Sequence, residues 1–325
     1  NDANPNMDKQ WHLERAKIKE AWQYLEDQGL PAGGSSDVVV AVIDSGVDYT
    51  HPDLSPNMWV NGAEIPDNGI DDDNNGIVDD IHGADFLSNS SNHNGDPTDH
   101  NGHGTHVAGI IAAVADNNLG GVGVAYNSRI MAIKAAQYNG TLTNSDIAES
   151  IYYAVENGAD IINMSFGGSA PSVLQRDALE VAFGQAVLVA AAGNDANHTE
   201  FKPINPVPSY PASWPFVVGV MAESSSPSGK GEYLAGFSNF VPVRPLCLLL
   251  KFNFETVRLF ILDDAIDLRN IRNVKLANQL LKIRRKKKLE RDQLIQQQNI
   301  QAQAQANGQA PVSYTHLTLP TKRIV

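Results

Sequence analysis

Short, continuous apolar runs alternate with longer, periodically apolar ones between about Asp37 and Ala222. DVVVAVIDSGV (37–47) is β-branched, uninterrupted and closed by glycine, the pattern of a strand buried on both faces. THVAGIIAAVADN (105–117) has helical composition, and SRIMAIKAA (128–136) is again strand-like. SDIAESIYYAVENGA (145–159) predicts a helix with Ser145 as N-cap, a stripe of Ile147, Ile151, Ala154 and Val155, and Gly158 as its stop. DIINMSFGG (160–168), AVLVAAAGN (186–194) and PFVVGVMA (215–222) follow as strands, with a helix at about 172–184 between the first two. This alternation predicts an α/β fold: a doubly wound, mostly parallel sheet with helices on both faces. Active sites of such sheets lie beyond the carboxyl ends of the strands. Asp44, Ser165–Gly168 and Gly193–Asn194 all fall there.

Composition adds a boundary. The 325 residues are 42% hydrophobic and 19% charged, ordinary for a globular chain. The net charge of −13 hides two opposed parts. Residues 241–325 hold 15 Lys+Arg against 6 Asp+Glu, leaving 9 against 31 in residues 1–240. The βα alternation also stops near Phe240. Beyond it, LANQLLKIRRKKKLERDQLIQQQNIQAQAQANGQ passes from a basic helical run into Gln/Ala low complexity. Residues 1–240 are therefore expected to form one domain, incomplete at its C-terminal end, with 241–325 an unrelated tail outside its fold. So abrupt a switch suggests a frameshift or chimera. The basic run would suit nucleic acid, but such runs are most often solvated faces, and no nucleic-acid partner is expected. No apolar run is long enough to span a membrane. Cys247 is the single cysteine, so stability must come from packing or ions.

NGHGTHVAGIIAA (101–113) sets His103 and His106 at the start of an apolar helix. They could be base, metal ligands or packing. As a zinc motif HGTH is poor, because the histidines are three apart with no acidic residue between. Asp44 ends a buried strand, where a lone carboxylate is costly, and a histidine oriented by it is the natural partner. His106, beside Val107, is expected to face inward.

VAVIDSGVDYTHPDL, NGHGTHVAGIIAA, DIINMSFGG, AAAGN and SYPASWPFVVGV resemble, in order, successive blocks of the subtilisin-like serine proteases. The resemblance covers roughly residues 10–240. It implies a serine endopeptidase acting on polypeptides, with Asp44 as triad aspartate, His103 as general base and Asn194 as side-chain oxyanion donor. Ser165, Phe166, Gly167 and Gly168 correspond to the edge segment that pairs with extended substrate. It further implies a secreted protein whose signal peptide and propeptide are not in this chain, and a monomer is expected. The family's nucleophile lies in a Gly-Thr-Ser turn, which this sequence lacks. A non-catalytic, peptide-binding member of the same fold is the alternative.

DNGIDDDNNGIVDDIHG (67–83) reads as a solvated acidic loop or as a calcium site. Asp71, Asp73 and Asn75 alternate as hard oxygen donors, Gly76 permits a sharp turn, and the Ile77 carbonyl with Asp79 or Asp80 would complete a shell. His82 stands where such a loop would place a closing Glu. A cation would relieve the mutual repulsion, so structural Ca2+ is expected. The family resemblance implies a second calcium site at Asp53 and Asn118.

Overall fold

Val39–Asp44 forms the first strand, β1, and every residue after Val39 in it is buried. β2 (Gly83–Asp85), β3 (Arg129–Lys134), β4 (Ile161–Met164), β5 (Val187–Ala191) and β6 (Val218–Val220) complete a six-stranded sheet. Its order is β2-β3-β1-β4-β5-β6, and every neighbouring pair is parallel. β7 (Glu223–Ser224) and β8 (Tyr233–Leu234) form a small antiparallel pair. This computed structural model describes residues 10–87, 93–195, 208–224, 233–235 and 237–239, all within the first of the chain's two units. The tail expected at 241–325 lies outside the described residues.

Among the described residues five α-helices accompany the strands: α1 (Trp11–Arg15), α2 (Ile18–Asp27), α3 (His103–Ala112), α4 (Asn144–Glu156) and α5 (Val173–Phe183). Alternation along the strands divides their side chains between two layers. Val40, Val42, Ile130 and Ala132 pack with Ala108 and Ala112 of α3. Ala41, Ile43, Met131, Ile133, Ile162, Met164, Leu188 and Ala190 face the other way, in the core that includes Ile147 and Ile151 of α4 and Ala178 and Leu179 of α5. The fold is the expected α/β sheet, with one qualification. β4 and β5 alternate half-buried and buried residues, so their continuous apolar runs overstate the cover on the α3 side.

Local chemistry explains the element ends. α4 is capped by Thr143, two residues earlier than Ser145: the Thr143 hydroxyl accepts the Asp146 N–H at 3.1 Å. Gly158, at φ +80°, follows that helix, a backbone that disfavours side chains with a Cβ. β2 has no counterpart in the hydrophobic pattern, being three residues beside the acidic stretch. Its Gly83 is obligatory, since a Cβ there would lie 1.7 Å from the Ala132 carbonyl oxygen. Among the described residues no helix is long and apolar enough to cross a membrane.

The uneven cover predicts uneven mutational cost. Ile162→Ala, at a fully buried position, should lose about 2–5 kcal/mol, the usual range for truncating a buried large aliphatic side chain. Ile161→Ala, half-buried on the opposite face, should lose less than half as much. Urea unfolding of both variants measures the difference, and equal losses would contradict the asymmetry.

Candidate active site

The ends of three adjacent strands converge. β1 is the neighbour of β4 and β4 of β5, so Asp44, Ser165–Gly168 and Gly193–Asn194 leave the same edge of the sheet. Asp44 pairs in register with Lys134, and its carbonyl accepts the N–H groups of Ala135 and Ala136 at 2.8 and 3.0 Å. Its carboxylate, 4% exposed, takes the Ser45 N–H at 2.8 Å on Oδ1.

α3 is sewn onto the turn after β1. The Gly104 N–H donates to Ser45 Oγ at 3.0 Å, and the Asp48 N–H donates to Thr105 Oγ1 at 2.9 Å. Gly104 lets the helix start so close: a Cβ there would meet the Gly46 carbonyl oxygen at 2.1 Å. Asp99 organises the approach. Its Oδ1 accepts from the N–H groups of Asn101 and Gly102, and its Oδ2 from the N–H and hydroxyl of Thr105. Gly102 supplies the left-handed turn at φ +97°.

His103, the first residue of α3, reaches back across 59 positions. Its Nδ1 lies 2.7 Å from Asp44 Oδ1. An ionised carboxylate only accepts, so Nδ1 carries the proton and Nε2 is left as the basic nitrogen. The Asp44 side chain is 5% exposed and that of His103 54%, so the orienting group is buried and the base faces solvent. Asp44 Oδ2 is buried without a protein partner among the described residues. His106 is exposed, contrary to the inward orientation expected of it; one helical turn from Gly102 leads away from the sheet. Ser45, His100, Asn101, Lys134, Ala136 and Tyr138 line a cleft of about 380 Å³ next to the dyad.

The second strand end is Ser165–Gly168. Gly168 is tied both ways to Tyr210, at 2.9 and 2.8 Å, while Ser165 Oγ accepts from Asn163 Nδ2 at 2.9 Å. The Tyr210 pairing thus occupies the Gly168 end of this segment. Gly167 abuts buried Ser209, whose hydroxyl would lie 2.3 Å from a Cβ. Asn194 is exposed in the turn after β5.

A subtilase family model matches residues 35–316, most of the chain. The chain belongs to the subtilase family. It is 39% identical over 208 residues to a thermophilic serine proteinase of Bacillus sp. (strain AK1), covering 64% of this chain and 42% of that protein. It is 35% identical over 203 residues to a subtilisin of Bacillus pumilus, covering 62% and 61%. A minor extracellular protease of Bacillus subtilis (strain 168) is 35% identical over 243 residues, covering 73% and 29%. The chain thus spans under two thirds of each relative's length. This subtilase match continues past residue 240, into the segment set apart by its charge.

The acidic loop differs in detail from its sequence reading. Glu64, Asp71 and Asp73 each bring a carboxylate oxygen to one place, all within 4.8 Å of one another. Glu64 was not expected, as it lies outside the Asp-rich stretch. Asn75 spends its side chain inside the loop: Nδ2 donates to Asp73 and Asp80, and Oδ1 accepts the Ile77 N–H. The Ile77 side chain is buried in the main core. Asp79 turns to the N–H groups of Asn68 and Gly69. Asp80 is fully buried and saturated by Asn61, Asn75 and the Tyr153 hydroxyl. The Asp79 and Asp80 carboxylates thus brace the loop, and Asp80 is tied to Asp73 through Asn61 and Asn75. Burial, above all, raises the Glu64 and Asp80 carboxyls over their ordinary values. At the other place, Asn117 rather than Asn118 reaches Asp53, with Nδ2 2.7 Å from Oδ1. Asn118 is exposed in a left-handed turn.

Asp99 gives the site a pH signature. Burial pushes its pKa up, but the Thr105 hydroxyl and the N–H groups of Gly102, Thr105 and Asn101 outweigh it, and the net shift is downward from 3.8. A carboxylate lowered in the folded state stabilises fully above its unfolded value and loses that contribution as pH falls through the folded one. Asp99→Asn should therefore cost about 1 kcal/mol at neutral pH, as for a lost helix cap, and flatten the decline in stability below pH 4. Urea midpoints from pH 7 to 3 measure both effects.

Proposed function

We propose that this subtilase is a serine endopeptidase hydrolysing peptide bonds of polypeptides. The observation that carries the reading is the 2.7 Å contact between the buried Asp44 and the solvent-facing His103 at the carboxyl edge of a parallel sheet. Asp44 holds the imidazole in one tautomer and stabilises its protonated form. His103 Nε2 takes the proton of a serine hydroxyl as that oxygen attacks the scissile carbonyl, then returns it to the leaving amine. Asn194 donates to the oxygen that becomes negative, a contribution of about 2.7–4 kcal/mol in the general case measured on a subtilisin. Substrate lies extended along Ser165–Gly167 as an added strand.

The nucleophile is the part without a residue number. The sequence holds no Gly-Thr-Ser, and Ser313, in PVSYTHL, has no glycine elbow. Triad members act as a unit, so the loss of one costs nearly as much as the loss of all, about 10⁶-fold in a subtilisin. Purified 1–325 should therefore turn over an unfolded protein substrate at only about 10³–10⁴ times the rate in water. A serine-directed fluorophosphonate should leave it unlabelled. Robust turnover with labelling of any serine would overturn this assignment. A non-catalytic peptide-binding member is favoured if residues 241–325 are confirmed at the genomic locus, and the peptidase if an in-frame Gly-Thr-Ser turn follows Phe240 there.

The same reading includes structural calcium and secretion. Asp71, Asp73 and Glu64 offer the clustered hard oxygens that calcium takes, and would hold it with water. Asp53 and Asn118, the positions that the family resemblance implies, form the second candidate place. The supplied chemistry is neutralisation of charge in the loop. Secretion is supported by the similarity to an extracellular protease. Thermal melts should be higher in calcium than in excess chelator, and Asp71→Ala with Asp73→Ala should narrow that gap. A gap of zero in the unmutated chain would remove calcium from the reading.

A further inference from the structure

Asn239 closes the described chain and is fully buried, which a primary amide tolerates only with its hydrogen bonds made. Its backbone N–H and its side-chain amide both bond to one place. The Asn239 N–H donates to the Gly193 carbonyl at 2.9 Å. Its Oδ1 accepts the Asp195 N–H at 2.9 Å, and Nδ2 donates to Asp195 Oδ2 at 3.4 Å. The two residues held are those on either side of Asn194. Packing tightens the same grip. Gly193 lies at φ +98°, and a Cβ there would meet Asn239 Nδ2 at 2.5 Å and Ser209 Oγ at 3.0 Å. Ser209 also abuts Gly167, so the turn after β5 and the segment after β4 rest against one buried hydroxyl.

We propose that Asn239 is a positioning residue for the oxyanion donor: it fixes the Gly193–Asp195 turn and so fixes where Asn194 carries its amide. The proposal rests on the peptidase reading for the role of Asn194, but not for the turn itself. The Asn194 side chain is exposed, so its own packing holds it little. Its placement depends on the backbone beneath it, and that backbone is clamped on both sides by a residue 44 positions along the chain. A donor pays off in a transition state only when held within about 0.5 Å of the productive position. Asn239 supplies that restraint from 44 positions beyond Asp195.

Two measurements on the full chain test this. Amide hydrogen exchange on Asn239→Ala should speed exchange of the Asp195 N–H at least tenfold. The Val189 and Ala190 amides of β5 should stay within twofold. Residual turnover is then compared for Asn239→Ala, Asn194→Ala and the double variant. Asn239→Ala should lower kcat at least tenfold with KM nearly unchanged, and the double variant should be no slower than Asn194→Ala alone. Unchanged protection of Asp195, an equal loss across β5, or additive effects of the two substitutions on kcat would each overturn the proposal. Absence of any turnover in the unmutated chain would count against the peptidase reading, and the exchange result would then decide the clamp by itself.

Discussion

A carboxylate sealed into the end of a strand must be held by donors, and the site of this protein is arranged around that need at Asp44. Leaving such a group unpaired costs several kcal/mol, far more than any one surface contact returns. Oδ1 is shared by the Ser45 N–H and the His103 imidazole, so the carboxylate that meets the imidazole is also fixed by its own backbone. For the imidazole to arrive, α3 must begin almost in contact with the turn after β1. Gly104 makes that approach possible, and Ser45, Asp48 and Asp99 secure it through the first helical turn. The dyad is therefore a consequence of how one helix meets one strand.

The sheet extends this logic sideways. Parallel strands put their carboxyl ends on one edge, so β1, β4 and β5 bring the segments that follow them to one side of the sheet through strand order alone. What differs among the strands is their support. β1 and β3 are buried on both faces, whereas β4 and β5 bury only the face toward α4 and α5. The segments they carry gain rigidity elsewhere. Gly168 is paired to Tyr210, and Gly193 and Asp195 to Asn239. Each strand end with an incomplete layer beneath it is held by bonds from distant chain.

That difference marks what the sequence could reveal. The strands were legible because β-branched apolar runs are local, and Asp44 stood out as a charge ending such a run. His103 followed from its glycines and from family resemblance. Missing were residues whose role exists only after folding. Glu64 lies seven positions before Asp71 and joins it only when the loop closes. Asn117 and Asn118 are adjacent and chemically identical, so only the turn decides which one meets Asp53. Ser209 was within a recognised block, and neither it nor Asn239 carried a local sign of the turn they support. Ser145 was a sound cap by type; Thr143 took the place because the helix begins earlier. β2 was hidden because a glycine demanded by the Ala132 carbonyl carries no hydrophobic signal.

The acidic loop shows how a crowd of like charges can keep a defined shape. Sequence alone counted its aspartates as mutual repulsion needing a cation. In the fold three of the carboxylates are turned toward backbone N–H groups: Glu64 takes those of Asp72, Asp73 and Asp79, Asp71 those of Asn75 and Gly76, and Asp79 those of Asn68 and Gly69. Such inward-pointing amides form an anion-binding concavity, supplying partial positive charge at no cost in net charge. Buried Asp80 is met instead by two amides and a phenol, which anchor the loop to α4 through Tyr153. The shape is thus set by the peptide backbone, while burial still drives the Glu64 and Asp80 carboxyls upward. Backbone dipoles orient the carboxylates without cancelling their charge. A cation bound among Glu64, Asp71 and Asp73 would act on a site already formed, lowering its electrostatic energy and leaving its outline in place.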